Sequence, residues 1–240
     1  MSMYERTQLL IGERAIEKLK NSKIAIFGIG GVGSFSVEAL GRCGVGNLVL
    51  IDYDTINDSN INRQLHATTK TVGRYKVDVM KERLLEINPD INVTAINKKY
   101  NQDIADELIK EDYDYIIDAI DMVSAKIHLI VTSINKGIPI ISSMGAGNKL
   151  DPTKFEVTDI YKTEMCPLAK VLRHELKKRG VKKLKVVYSK EKPSKTTITM
   201  PDNPSKNVPG SISFVPSVAG LILASVVVND IINDKMKNDY

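Results

Sequence analysis

Five short apolar runs, rich in Ile and Val, alternate with stretches whose apolar positions recur at helical spacing. KIAIFG (23–28), NLVLID (47–52), INVTAIN (91–97), YDYIIDAI (113–120) and IPIISS (138–143) read as strands. Helices are expected after the first of these through about Cys43, near 75–87, over 102–110 and over 123–136. Strands that are apolar along most of their length must be covered on both faces, so the pattern predicts a doubly wound α/β fold around a mostly parallel sheet. Ligands in such sheets bind at the carboxyl ends of the strands. Ahead of the first strand, residues 3–20 read as two short helices broken near Gly12, with Leu9, Leu10, Ile16 and Leu19 on an apolar face.

The pattern changes near 145. A loop, GAGNKLDP, leads to an expected strand at 154–161, a basic stretch, a second strand at 183–189 and a polar tract at 192–211 that reads mostly as loop. One domain is expected, divided into a nucleotide-binding core (1–145), a basic substrate-binding insertion (146–211) and a C-terminal helical segment (212–240) packed on the core or at a dimer interface. Asn207 to Asn229 carries no charge and could span a bilayer by length alone. Pro209 and Pro216 delay the expected helix to about Ser217, and four serines from Ser211 to Ser225 argue for burial in protein rather than lipid.

Composition adds little to this, with 42% hydrophobic and 26% charged residues as in an ordinary globular chain. Cys43 and Cys166 form no CxxC pair, which removes both a disulfide framework and a zinc cluster. The N-terminal MSMYERTQLL lacks the apolar run of a secretory signal, so a cytoplasmic location is expected. Charge is more informative. The net +5 conceals eleven Lys and Arg against Glu175 and Glu191 between 170 and 195, which leaves the rest of the chain acidic. Such a stretch can neutralise nucleic-acid phosphates, with Arg173, Lys177, Lys178, Arg179, Lys182 and Lys183 as its candidates. With 5% aromatics, base stacking is not the expected mode of contact.

Gly28, Gly30 and Gly33 form GxGxxG between a strand and a helix, where backbone amides and the helix dipole can meet phosphate. Asp52, 24 residues beyond Gly28, is placed to accept hydrogen bonds from ribose hydroxyls. This much suits a dinucleotide-dependent dehydrogenase as well. The cations that follow separate the readings: Arg63, Lys76 and Arg74 can neutralise a triphosphate, and Asp121 at a strand end is a hard oxygen ligand suited to Mg2+. His66, His128 and His174 have no metal-ligand spacing and receive no role.

GxGGxGS, DxDxxxxSNxxRQ, GxxK and DxxD, in this order over residues 1–145, resemble the ubiquitin-activating-like adenylating superfamily. The resemblance implies ATP and Mg2+ as cofactors. It assigns Asp52 to the ribose, Asn60, Arg63, Gln64 and Lys76 to the phosphates, and Asp121 to the metal. It also places the motif positions Gly31, Ser34 and Asp54 in the nucleotide site. Arg6, six residues before Gly12, matches the arginine that reaches the triphosphate of the opposite subunit, which implies a homodimer.

Within the superfamily, GAGNKLDPTKF, PLAK…LR and GSISFVPSVAGL resemble the tRNA threonylcarbamoyladenosine dehydratases. That resemblance implies adenylation of the threonyl carboxylate on tRNA, then cyclisation by a tethered nucleophile, and it raises a cysteine desulfurase or sulphur acceptor as a partner. The other reading is activation of a carrier protein ending in Gly-Gly, with Cys166 as a thiol nucleophile.

Overall fold

The computed structural model describes residues 3–194 and 209–234. Seven strands form one sheet: β1 (Lys23–Phe27), β2 (Asn47–Ile51), β3 (Asn92–Ile96), β4 (Tyr115–Asp118), β5 (Ile140–Ser143), β6 (Phe155–Asp159) and β7 (Lys185–Ser189), in the order β3-β2-β1-β4-β5-β7-β6. All neighbours are parallel except β6, which runs antiparallel to β7 at the edge. The expected doubly wound sheet is therefore present. Its strand order reverses between β1 and β4, which opens a crevice at their carboxyl ends.

Helices cover both faces. They are α1 (Glu5–Ile11), α2 (Glu13–Asn21), α3 (Gly33–Cys43), α4 (Lys76–Ile87), α5 (Ala105–Leu108), α6 (Val123–Asn135), α7 (Pro167–Lys178) and α8 (Phe214–Ile232). One core holds α3, α4 and α8 against Ile24, Ile26, Leu48 and Leu50; the other holds α6 and α7 against Ala25, Phe27, Ile116 and Ile140. Successive residues of one strand feed opposite cores, which is why these strands read as continuous apolar runs.

Three expectations change. The helix expected over 102–110 is a single turn, because Leu108 and Ile109 are both buried and the chain leaves helical geometry at Ile109 to place the second in the core. The C-terminal helix begins at Phe214, not Ser217: Pro216 lies in the first turn, where the amides have no intrahelical acceptor and its missing N–H is harmless. Residues 146–211, expected as an insertion, supply β6 and β7 to the same sheet, with α7 packed on α6. Residues 195–208 of the polar tract lie outside the described part.

Among the described residues, α8 is the one helix long and apolar enough to cross a membrane by length and composition. Its inner face packs on α3, β5 and β7, and Asp230 near its end accepts hydrogen bonds from Tyr115 Oη (2.8 Å) and Lys185 Nζ (2.6 Å). This matches burial on the core, while Phe214 and Leu221 remain exposed.

Beneath the crevice lies a fully buried ion pair. Lys126 Nζ of α6 donates to Asp118 Oδ2 of β4 at 2.7 Å, and Ser142 Oγ of β5 donates to the same oxygen at 2.6 Å. Asp118 Oδ1 accepts the Ile120 N–H at 3.1 Å, tying the start of the following loop to the strand end. Asp118→Ala is expected to lower unfolding free energy by about 3–5 kcal/mol in urea titrations, because it strands a buried ammonium. Adding Lys126→Met should recover most of that loss.

Candidate nucleotide and acyl-transfer site

The crevice is a cavity of about 440 Å³ lined by the ends of β1 to β5. The glycine loop forms its floor. Gly28 has φ +90°, and a Cβ there would stand 2.6 Å from the Ala119 carbonyl oxygen, while one on Gly33 would stand 1.8 Å from that of Gly28. Neither position admits a side chain, so the loop lies flat against the β4 end and α3 starts directly beneath it. Gly28, Gly30 and Gly31 line the cavity. Gly33 and Ser34 act from below: Ser34 Oγ accepts the Leu65 N–H at 3.2 Å, joining α3 to the loop that carries the cations.

Asp52 sits at the end of β2, as the spacing predicts. Its Oδ2 accepts the Ile29 N–H at 2.6 Å and its Oδ1 the Asp54 N–H at 2.8 Å, which fixes the carboxylate and leaves lone pairs for ribose hydroxyls. Burial raises its pKa above the ordinary carboxylate value, with Lys76 and the two N–H donors opposing. On the other side of the same residue, His66 Nε2 donates to the Ile29 carbonyl at 2.7 Å. Burial pushes this imidazole down to about 4, so it is neutral, and Nδ1 has no partner among the described residues.

The cations converge. Lys76 is buried, with Nζ 2.7 Å from Asp54 Oδ2, and its other donors are free to turn toward an anion in the cavity. Arg63 Nη1 donates to the Ser59 carbonyl (2.7 Å) and to Asn62 Oδ1 (2.8 Å), so part of its fork is used to hold the side chain in place. Asn60 serves both as a cap and as a wall: its Oδ1 accepts the Asn57 N–H at 3.1 Å within a capping box, and the residue lines the cavity. Gln64 is buried beside Gly30, and its Oε1 has no partner among the described residues. An unsatisfied buried amide facing a cavity fits a ligand whose polar atoms complete it. Asp121 is exposed on the loop after β4 and completes the lining.

The other candidate cations stand away from this cavity. Arg74 pairs with Glu82 on α4, 2.5 Å away, and does not line the cavity. Arg6 lies on α1, next to Tyr4, which packs on Gly44 beyond the far end of α3. The 11 residues of α3 put about 16 Å between that end and the glycine loop. Arg173 donates to the Thr163 carbonyl at 2.7 Å and so anchors α7 to the turn before it. Lys178 (3.0 Å) and Arg179 (2.6 Å) share Glu175. With Lys177, Lys182 and Lys183 they lie at the amino end of β7, about 17 Å from the crevice by strand rise. Cys166, the candidate thiol, is buried at the start of α7 beneath Gly145.

This cavity at the strand-order reversal, with its flat glycine loop, ribose acceptor and convergent cations, agrees with a match to the ThiF family over residues 4–239. The chain belongs to the ThiF family. The tRNA threonylcarbamoyladenosine dehydratase of Bacillus subtilis is 44% identical over 248 residues, taking in 98% of this chain and 96% of that protein. The crystal structure of E. coli tRNA N6-threonylcarbamoyladenosine dehydratase, TcdA, in complex with AMP is similar with a TM-score of 0.88 at 35% identity, over 97% of this chain and 95% of the other. The same enzyme in complex with ATP gives 0.88 at 33% identity, over 98% and 96%.

Several lining residues of this ThiF-family site carry no signal in the nucleotide motifs. Lys98 and Lys99 follow β3, and Lys99 Nζ stands 5.1 Å from the centre of the Tyr53 ring. The rule that ligands sit at strand carboxyl ends could have selected KKY directly after β3. His66 gave no such signal, since only the fold brings it behind Ile29.

The raised pKa of Asp52 has a pH consequence. The carboxyl gains its proton at a higher pH than an ordinary aspartate, near 3.9, and the proton removes the anionic ribose acceptor. Affinity for AMP, measured by calorimetry, should weaken as pH falls into the range where Asp52 gains its proton, above that of an ordinary aspartate, whereas Asp52→Asn should bind weakly and lack that step.

Proposed function

We propose that this chain is an ATP-dependent tRNA threonylcarbamoyladenosine dehydratase. The observation that carries the reading is the assembly of Asp52, Arg63, Gln64 and Lys76 around one cavity at the strand-order reversal, in a chain similar to the dehydratases along nearly its whole length. The threonyl carboxylate attacks the α-phosphorus of ATP; a carboxylate oxygen–phosphorus bond forms, the bond to the β-phosphate bridging oxygen breaks, and pyrophosphate leaves. A nucleophile of the same modification then attacks the activated carbonyl, loses its proton and expels AMP, closing the ring. Because that nucleophile is tethered, no enzyme nucleophile is needed. The burial of Cys166 counts against the carrier-protein reading with a thiol intermediate.

Each side chain has a part. Asp52 holds the ribose, the Gly30 and Gly31 amides and the start of α3 face the phosphates, and Arg63 and Lys76 stabilise charge that grows on the departing pyrophosphate. Asp121 fits Mg2+ as a lone protein ligand: no cluster of three acidic, His or Cys residues occurs among the described residues, and Mg2+ takes most of its oxygens from phosphate and water. Bound there, Mg2+ would supply charge neutralisation on the phosphates. The basic surface at the amino end of β7 suits phosphate contacts by a tRNA long enough to lie along α7 while its modified base enters the crevice. The location proposed is cytosolic.

Wild-type protein is expected to convert ATP to AMP and pyrophosphate with tRNA bearing threonylcarbamoyladenosine, and Arg63→Ala or Asp121→Asn should lower turnover by about 100-fold or more. ADP as the product would overturn this reading.

The distance of Arg6 from its own cavity and the exposure of Leu9 and Leu10 on the same helix support a twofold dimer in which Arg6 serves the opposite site. Arg6→Ala and Asp121→Ala should each be nearly inactive. Mixed with free subunit exchange, they should recover about a quarter of wild-type activity, since about half of the dimers then hold one intact site. Exchange without recovery would place the action of Arg6 within its own chain or nowhere.

A further inference from the structure

The cavity has two ends. Asp52, Tyr53, Lys98 and Lys99 stand over β2 and β3; Ala146 and Gly147 follow β5, and Pro209, Gly210 and Ser211 face them. With strands about 4.8 Å apart, β2 and β5 are separated by roughly 14 Å, enough for a nucleoside and its phosphates to occupy one end and an acyl group the other.

The second wall is made of chain segments far apart in sequence, and Asn148 joins them. Its side-chain Oδ1 accepts the Gly210 N–H at 2.6 Å and its own N–H donates to the Gly210 carbonyl at 2.8 Å. Its carbonyl accepts the Ser194 N–H at 2.7 Å. Asn148 makes this pair of hydrogen bonds from φ +59°, in the left-handed region that asparagine tolerates better than other non-glycine residues. One residue on, the Ser211 carbonyl accepts Asn62 Nδ2 at 3.0 Å, and Asn62 Oδ1 accepts Arg63. Asn62 thus ties this wall to the loop that carries Arg63, while the Ser59 carbonyl holds Arg63 independently of the wall.

We propose that Asn148 is a positioning residue for the acyl substrate: by clasping Gly210 it builds the wall against which the threonylcarbamoyl group lies, and it takes no part in holding ATP. The inference rests on the acyl-adenylation reading and names which end of the cavity selects the carboxylate. Asn148 itself is not among the lining residues, so it acts through the backbone of 209–211.

Asn148→Gly retains access to the left-handed backbone and removes only the side-chain acceptor. AMP release at saturating ATP, with tRNA carrying threonylcarbamoyladenosine as the varied substrate, should show a KM for that tRNA raised about tenfold, the scale of one lost hydrogen bond. The Kd for ATP, measured by calorimetry on the same preparation, should stay within about twofold of wild type, which also reports an intact fold. Asn148→Asp keeps an acceptor oxygen for Gly210 and should restore the KM to within about threefold of wild type. An unchanged tRNA KM in Asn148→Gly, or a loss of ATP affinity in step with it, would overturn the proposal, the second by making Asn148 a general support of the site. Absence of AMP formation by wild-type protein on the same tRNA would instead overturn the dehydratase reading beneath it.

Discussion

The site depends on the backbone of one residue, held through the two peptide groups that flank it. Ile29, inside the glycine loop, has its N–H held by the Asp52 carboxylate and its carbonyl held by the His66 imidazole. The loop is flat because Gly28 and Gly33 leave no room for side chains, and the buried Ile29 side chain packs it into the core. The two hydrogen bonds add a fixed orientation to that packing. They also fix the two partners: Asp52 is oriented for the ribose, and the segment from 60 to 66 that bears Arg63 and Gln64 is drawn over the loop, with Ser34 anchoring it through Leu65. A single clamp thus sets the phosphate floor, the ribose acceptor and the cations.

Beneath the clamp the Asp118, Lys126 and Ser142 cluster ties β4, α6 and β5 together immediately before the loop that carries Asp121. A buried ion pair is weak evidence for stability, because desolvation offsets much of its attraction. Its contribution here is geometric: it allows one arrangement of the strand ends. The cavity is consequently rigid at its centre, whereas its acyl end is assembled from loops held by Asn148 and Asn62. That division suits an enzyme in which ATP binds a common frame and a large substrate must be admitted at one side.

The basic surface and the crevice occupy different ends of the sheet. Lys177 and Lys182 are joined to the site only through α7 and β7, so contact with both requires a partner longer than either element. An extended, polyanionic substrate meets that condition, and a small acyl acceptor does not. The same geometry shows that local charge density does not reveal which residues share a surface with the chemistry.

Much of the architecture was legible in the amino-acid sequence, because alternation of buried strands with helices is a local pattern and each turn of the glycine loop is a local steric demand. Asp52 could be placed by spacing alone, since a residue at the end of the second parallel strand must face the first loop. Tertiary structure decided the rest. The roles of His66, Lys99 and Asn148 follow from contacts with Ile29, Tyr53 and Gly210, and no local pattern encodes a contact across tens of residues. Strand pairing likewise decided that β6 and β7 extend the sheet, because a strand's own sequence states that it is buried and not which neighbour buries it. Arg6 shows the same limit: its motif implies service to the site of an opposite subunit, while the packing of Tyr4 on Gly44, at the far end of α3 from the cavity of its own chain, is a contact no local pattern encodes.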